Sequence, residues 1–311
     1  MKTELISPQK VASIDIGTHT ILLLISGWDG NMLKPLVDVE TIVRLGEGLH
    51  IRHSLSEEAM DRGLQTLARY MERCRTAGVQ TLFAVGTNVL REARNGSKFV
   101  ARVQERLGLP IEVISGEEEA LYSFLAVTKD LRDLKKTILV IDVGGGSTEM
   151  ILGRGGQIEQ WVSLPLGAVR LTEQFIHSDP VEDRESETME EAIREKFVNI
   201  PRALEPVAMV LVGGTATTLA SVEQGLEEFV TEKIHHFILT REALRRQLSL
   251  YRSRTIEERK TIPGLSSARA DVILAGGTIL YMAMEQLDCP SAIVSCHGVR
   301  YGVLYKKLGG N

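Results

Sequence analysis

The sequence predicts an α/β chain folded into two lobes with a cleft between them. Strand-like and helix-like runs alternate along it. A strand, glycine turn and strand pattern at Val11–Ile25 (VASIDIGTHTILLLI) returns at Ile138–Leu152 (ILVIDVGGGSTEMIL), each with an aspartate at the first strand's end. A length of 311 residues with 43% apolar side chains fits two domains better than one or three. The expected lobes are residues 1–126 and 127–311, with the last helix able to pack back on the first.

The first lobe reads as strands at Val11–Ile16, Leu22–Ser26, Thr81–Val85 and Ile111–Ile114, with a long helix from about Ser56 to Gly78. Ser56 suits its N-cap, Glu57 and Glu58 its positive end, and Gly78 its stop, while Met60, Leu64, Leu67, Met71 and Cys74 form one apolar stripe. That stripe is core. A helix near Glu118–Lys129 and a charged turn at Lys129–Lys136 lead to the second lobe, with strands Thr137–Asp142 and Glu149–Gly153. The run His177–Glu195 reads as a loop and a solvated helix whose acids would repel phosphate. Ala208–Val212 is a buried strand, Thr215–Val222 begins a helix, Ala268–Leu287 is a long apolar helix, and strand Ala292–Cys296 precedes a short helix with Val303, Leu304 and Leu308.

A net charge of −5 gives no global attraction to nucleic acid, anionic membrane or phosphate polymer, so a polyanion must be held by local arginines and backbone amides. Cys74, Cys289 and Cys296 are odd in number, share no CxxC spacing and lie in apolar segments, which argues for reduced thiols in the cytoplasm. The opening MKTELISPQK has no apolar signal core, and no run is long and apolar enough to span a membrane, so a mature, soluble chain is expected.

Three glycine turns follow strands: DIGTHT at Asp15–Thr20, DVGGGST at Asp142–Thr148 and VGGTATTLA at Val212–Ala220. Glycine lets the backbone approach closely, so that successive N–H groups converge on phosphate oxygens and Ser or Thr hydroxyls add donors. Each turn alone is as consistent with a plain tight hairpin. There is neither a GxxxxGK[ST] loop nor a GxGxxG opening a helix. Together, in this order, the turns resemble the phosphate hairpins of the actin, Hsp70 and sugar-kinase superfamily, whose ribonuclease H-like lobes are mixed sheets flanked by helices with the active site in the interlobe cleft.

The segments VRLGEGL (Val43–Leu49), VGTNVLREARN (Val85–Asn95), ISGEEEA (Ile114–Ala120), DVGGGSTE (Asp142–Glu149), LPLGAVRLTE (Leu164–Glu173), VGGTATTLA and the ARADVILAG run from Ala268 are similar to the exopolyphosphatase/guanosine pentaphosphatase family over nearly the whole chain. The resemblance implies that Glu119 is the catalytic general base. On residue chemistry alone, Glu117–Glu119 reads first as an acid-enriched helix start. The resemblance also implies that Arg91 grips phosphate, where the plain alternative is a solvent-facing helix arginine. It makes Asp142 and Glu149 the Mg2+ ligands. Gly17, Thr18, Thr20, Gly144, Gly145, Gly146, Ser147, Thr148, Gly213, Gly214 and Thr215 would contact phosphate through the three turns. The implied reaction is in-line attack of water on a terminal phosphorus, with no covalent intermediate.

The resemblance implies inorganic polyphosphate as the substrate, with guanosine pentaphosphate as the alternative, and neither nucleic acid nor membrane as partner; a homodimer is left open. Competing readings are an actin-like ATP-dependent kinase and a non-catalytic polyphosphate or alarmone sensor. The additional C-terminal helical domains of longer members are absent from this sequence, which argues against processive action on long polymer. Two departures stand out. His19 lies where the family more often has an amide, either as a polar substitute or as a pH-sensitive phosphate contact. CHGVRYG at Cys296–Gly302 puts Tyr301 where glutamate is frequent. His235 and His236 are adjacent rather than at i, i+4 and do not make a metal pair.

Overall fold

The computed structural model describes residues 9–131, 136–203 and 207–309. The first eight residues and part of the charged turn expected at Lys129–Lys136 lie outside this set. The chain divides into two compact units, one of residues 1–114 with 299–311 and the other of residues 115–298. The boundary expected at 126 moves to 114, because the helix Gly116–Asp130 packs on the second sheet; the last helix, Val299–Gly309, packs on the first.

The first unit holds a five-stranded mixed sheet in the order β3-β2-β1-β4-β5, formed by β1 (Gln9–Ile16), β2 (Thr20–Trp28), β3 (Leu33–Ile42), β4 (Thr81–Gly86) and β5 (Glu112–Val113). Both β1–β2 and β2–β3 are antiparallel, whereas β1–β4 and β4–β5 are parallel. The helices Glu57–Ala77 and Gly96–Leu107 bury Met60, Leu67, Phe99 and Val103 with Ile14, Ile16, Ile21 and Leu23. The Ser56 and Gly78 caps form as the sequence requires: Ser56 accepts the Ala59 N–H, and Gly78 has φ 70°.

The second unit repeats the pattern as a six-stranded sheet, β10-β11-β9-β6-β7-β8, with β6 (Ile138–Val143), β7 (Thr148–Arg154), β8 (Gln157–Leu164), β9 (Ala208–Val212), β10 (Ile238–Thr240) and β11 (Ser291–Val294). Again the first three strands are antiparallel and the crossovers β6–β9 and β9–β11 parallel. Registers match position for position. Asp15 pairs with Leu22 and Val85, and Asp142 pairs with Glu149 and Val212. Strand alternation sends Leu139, Ile141 and Val143 to the larger core, and Ile138 and Val140 to the face under Gly116–Asp130, where Ala120, Phe124 and Val127 meet them.

The helix within the charged run spans Asp183–Lys196 and is not fully solvated, since Met189 and Ile193 enter the core. Strands β3, β8 and β10 have no counterpart among the sequence expectations. They are edge strands whose exposed positions mix polar residues with Leu36, Trp161 and Ile238, and Pro35 of β3 pairs with Ser26 beside the bulge at Ile25/Ser26.

Candidate active site

On the face of the second sheet under Gly116–Asp130, the apolar stripe ends in acid. Asp142 continues the row of Ile138 and Val140, and Glu149 continues that of Ile151, so one strand pair presents hydrocarbon along its length and carboxylates at one end. The covering helix follows the same gradient, with Glu119 and Ser123 beside the acids and Phe124 and Val127 over the hydrocarbon. Ser115 caps this helix in a reciprocal box: its hydroxyl accepts the Glu118 N–H (3.1 Å), and Glu118 Oε2 accepts the Ser115 N–H (2.7 Å). The three consecutive glutamates thereby separate. Glu117 is exposed, Glu118 belongs to the cap, and Glu119 alone is buried, at 8% exposure.

Each strand carboxylate is held by a serine. Ser123 Oγ donates to Asp142 Oδ2 (2.7 Å), and Ser163 Oγ, directly across β8, donates to Glu149 Oε1 (2.7 Å). Glu149 is 1% exposed. Burial, then the charges of Glu119 and Asp142, raise its pKa well above the usual carboxylate range, against the hydrogen bonds from Ser163 and Ser147. Asp142 and Glu149, paired across β6 and β7, are the two acids here that could hold a divalent cation.

The glycine turns enclose these acids. Gly144 N–H closes its turn on Ser147 O (2.9 Å), and the Thr148 hydroxyl goes to Leu166 O (2.6 Å), so these two groups shape the loop. The LPLGAVR segment docks on it, with Ala168 N–H on Gly144 O and the Val169 and Arg170 N–H groups on Gly145 O. Gly213, at φ 93°, brings the next turn against the site; a side chain there would start 2.9 Å from Asp142 Oδ1. The helix Gly214–Glu223 follows, so its N-terminal N–H groups at Gly214 and Thr215 suit an anion. Buried Arg269 lies over Gly214, its Nη2 2.1 Å from where a Cβ would be.

In the first unit, Gly17 N–H closes on Thr20 O (2.9 Å), the same bond as in the second turn. The VRLGEGL segment docks here, with Gly46 N–H on Thr18 O and the Val43 and Arg44 N–H groups on His19 O. The His19 ring is buried beside this junction. Arg91 is half-buried and tied in place, its Nη1 donating to Ile114 O (2.7 Å). Asn95 exchanges two hydrogen bonds with the Leu55 backbone and so has a structural part.

The second unit therefore gathers Glu119, Asp142, Glu149 and the turns at 144–148 and 213–215, while Gly17, Thr18, Thr20 and Arg91 belong to the first. Ser123, Ser163 and Arg269 escaped sequence reasoning. A signal for Ser163 existed in Gly155-Gly156, both with positive φ, which mark a hairpin that sets β8 against β7. Tyr301 also finds a partner: its hydroxyl donates to Asp38 Oδ2 (2.8 Å), and Arg300 forks onto the same carboxylate (2.8 Å each), fastening the last helix to β3.

The repeated sheets and strand-end turns define an actin-like two-lobed fold, with one lobe equipped with acids. The chain belongs to the Ppx/GppA phosphatase family, whose model matches residues 24–310. It is similar to a solved Ppx/GppA family member from Aquifex aeolicus, at 32% identity and TM-score 0.82 over 96% of this chain and 97% of that one. A solved exopolyphosphatase from Cytophaga hutchinsonii is 28% identical at TM-score 0.88, over 96% and 98%. A curated relative, the bifunctional 3-dehydroquinate synthase/phosphatase of Fusobacterium nucleatum, is 32% identical over 91% of this chain, which spans 44% of that protein's length.

Proposed function

We propose that this protein hydrolyses the terminal phosphoanhydride of inorganic polyphosphate and releases orthophosphate. The observation that carries the proposal is the convergence of Glu119, Asp142 and Glu149 beside two glycine turns in one compact unit. The similarity to a solved exopolyphosphatase supports it.

In this reading Glu119 accepts the proton of the attacking water, and its burial removes competing solvent. Ser123 and Ser163 keep the flanking carboxylates aimed. Backbone N–H groups of the 145–147 and 213–215 turns, with Arg269, bind phosphate oxygens. Asp142 and Glu149 would hold Mg2+, which when bound would neutralise charge on the transferring group. The buried thiols fit a cytoplasmic setting.

Guanosine pentaphosphate offers the same terminal anhydride, and family membership supports it as the alternative substrate. Orthophosphate release from polyphosphates of defined length, guanosine pentaphosphate and ATP, each with Mg2+ or EDTA, tests the proposal. Mg2+-dependent release with the highest kcat/KM on polyphosphate is expected. Preference for the pentaphosphate would move the assignment to the nucleotide, and binding without release from any of them would make the chain a sensor.

A further inference from the structure

A second constellation lies two helical turns beyond Ser123, about 10 Å along the axis of Gly116–Asp130. There Asp130, the last residue of that helix, receives three imidazoles from two distant stretches of chain. His236 Nε2 lies 2.7 Å and His235 Nε2 3.2 Å from Asp130 Oδ2, and His297 Nδ1 lies 3.7 Å from Oδ1. The rings form a stack, with His235 between His236 (3.9 Å between centroids) and His297 (4.4 Å). His236 is held at φ 66°, a left-handed conformation costly for a side-chain-bearing residue, with its N–H on Val294 O (2.7 Å).

A hydrogen-bonded tie between the helix and two loops would need one imidazole, not three. One ligand atom each from Asp130, His235 and His297 all fall within 4.8 Å of one another, a spacing that an ion at the centre closes by small side-chain movements. We propose that Asp130, His235 and His297 form a binding site for a divalent transition-metal ion of the Zn2+, Co2+ or Ni2+ class, with His236 holding the carboxylate from outside. The donor set selects against Mg2+, which prefers oxygen ligands and keeps its waters, so this site is chemically distinct from the carboxylate pair Asp142 and Glu149.

One bond gives the site a consequence. Cys296 N–H donates to His235 Nδ1 (3.1 Å), which leaves the ring proton on Nε2, facing Asp130. An ion at Nε2 takes that proton's place and the ring's single proton moves to Nδ1, so the Cys296 amide must turn away. Two residues on, Gly298 lies beside the other site, its Cβ position 3.9 Å from Asp142 Oδ2. Metal uptake therefore acts on the Cys296–Gly298 turn, which runs from the imidazole stack to Asp142.

The test is Zn2+ titration of the full chain by calorimetry, with Co2+ absorption as a second readout, in excess Mg2+. One equivalent is expected to bind, with exchange of the Cys296 amide changed on binding. Asp130→Asn and His297→Gln should each weaken binding by about 10-fold or more, while Glu149→Gln, in the other site, leaves it unchanged. Circular dichroism checks the fold of each variant, and His297→Gln serves if Asp130→Asn does not fold. Absence of uptake by the wild type, or equal uptake by a folded Asp130→Asn or His297→Gln chain, would overturn the site.

Discussion

The turns at Asp15–Thr20 and Asp142–Thr148 close with the same hydrogen bond, Gly17 to Thr20 and Gly144 to Ser147, and each receives a docking segment through N–H groups on its carbonyls. Their sheets share strand order and register. They diverge in one row. Opposite Asp15 the first unit has Leu22, and opposite Asp142 the second has Glu149, backed by Ser163 and faced by Glu119. A repeated scaffold thus carries a glycine turn at the same strand end in both units, while only the second sets two buried glutamates, Glu119 and Glu149, around its strand-end aspartate, where burial costs free energy unless the acids are paired or used.

The comparison is sharpened first by Ser163→Ala. Without its hydroxyl Glu149 loses orientation, and phosphate release or Mg2+ affinity should fall about 10- to 100-fold; no change in either would remove Ser163 from the site. Next come the glycines at matched strand ends. Gly213→Ala places a Cβ against Val143 O and Asp142 Oδ1 at φ 93°, and should cost about 1–3 kcal/mol in urea unfolding. Gly86→Ala in the first unit meets chiefly the movable end of Leu90 and should cost less, about 1 kcal/mol.

Glu149→Gln tests the acid crowding by its pH dependence. A carboxyl whose folded pKa lies above its unfolded value favours the fold while protonated, so its contribution is lost as pH rises from the ordinary glutamate range through the raised pKa. The amide variant should therefore be more stable than wild type at neutral pH, with a flatter stability profile across that window. The smallest effect is expected for Tyr301→Phe, which removes one hydrogen bond to Asp38 while Arg300 keeps its fork; about 1 kcal/mol should be lost, with kcat unchanged.

Most of this architecture is legible in local signals. Short, nearly continuous apolar runs give β1, β6 and β9, the Ser56 and Gly78 caps bound a helix, and the repeated Asp-glycine turns reveal the two units. What is not legible depends on pairing across distance. Glu118 and Glu119 look alike in sequence, and only the cap box and the sheet beneath decide that one closes the helix while the other is buried. Ser123 and Ser163 are ordinary residues until the register puts them beside Asp142 and Glu149. His235 and His236 are no chelate alone, and nothing in their spacing announces Asp130 and His297. Edge strands such as β3 carry polar outer positions and give weak patterns.

Glu119 as the base is tested by orthophosphate release from polyphosphate by Glu119→Gln beside wild type under saturating Mg2+. A fall in kcat of about 10²–10⁴-fold with unchanged circular dichroism is expected. A folded Glu119→Gln protein working at the wild-type rate would contradict it.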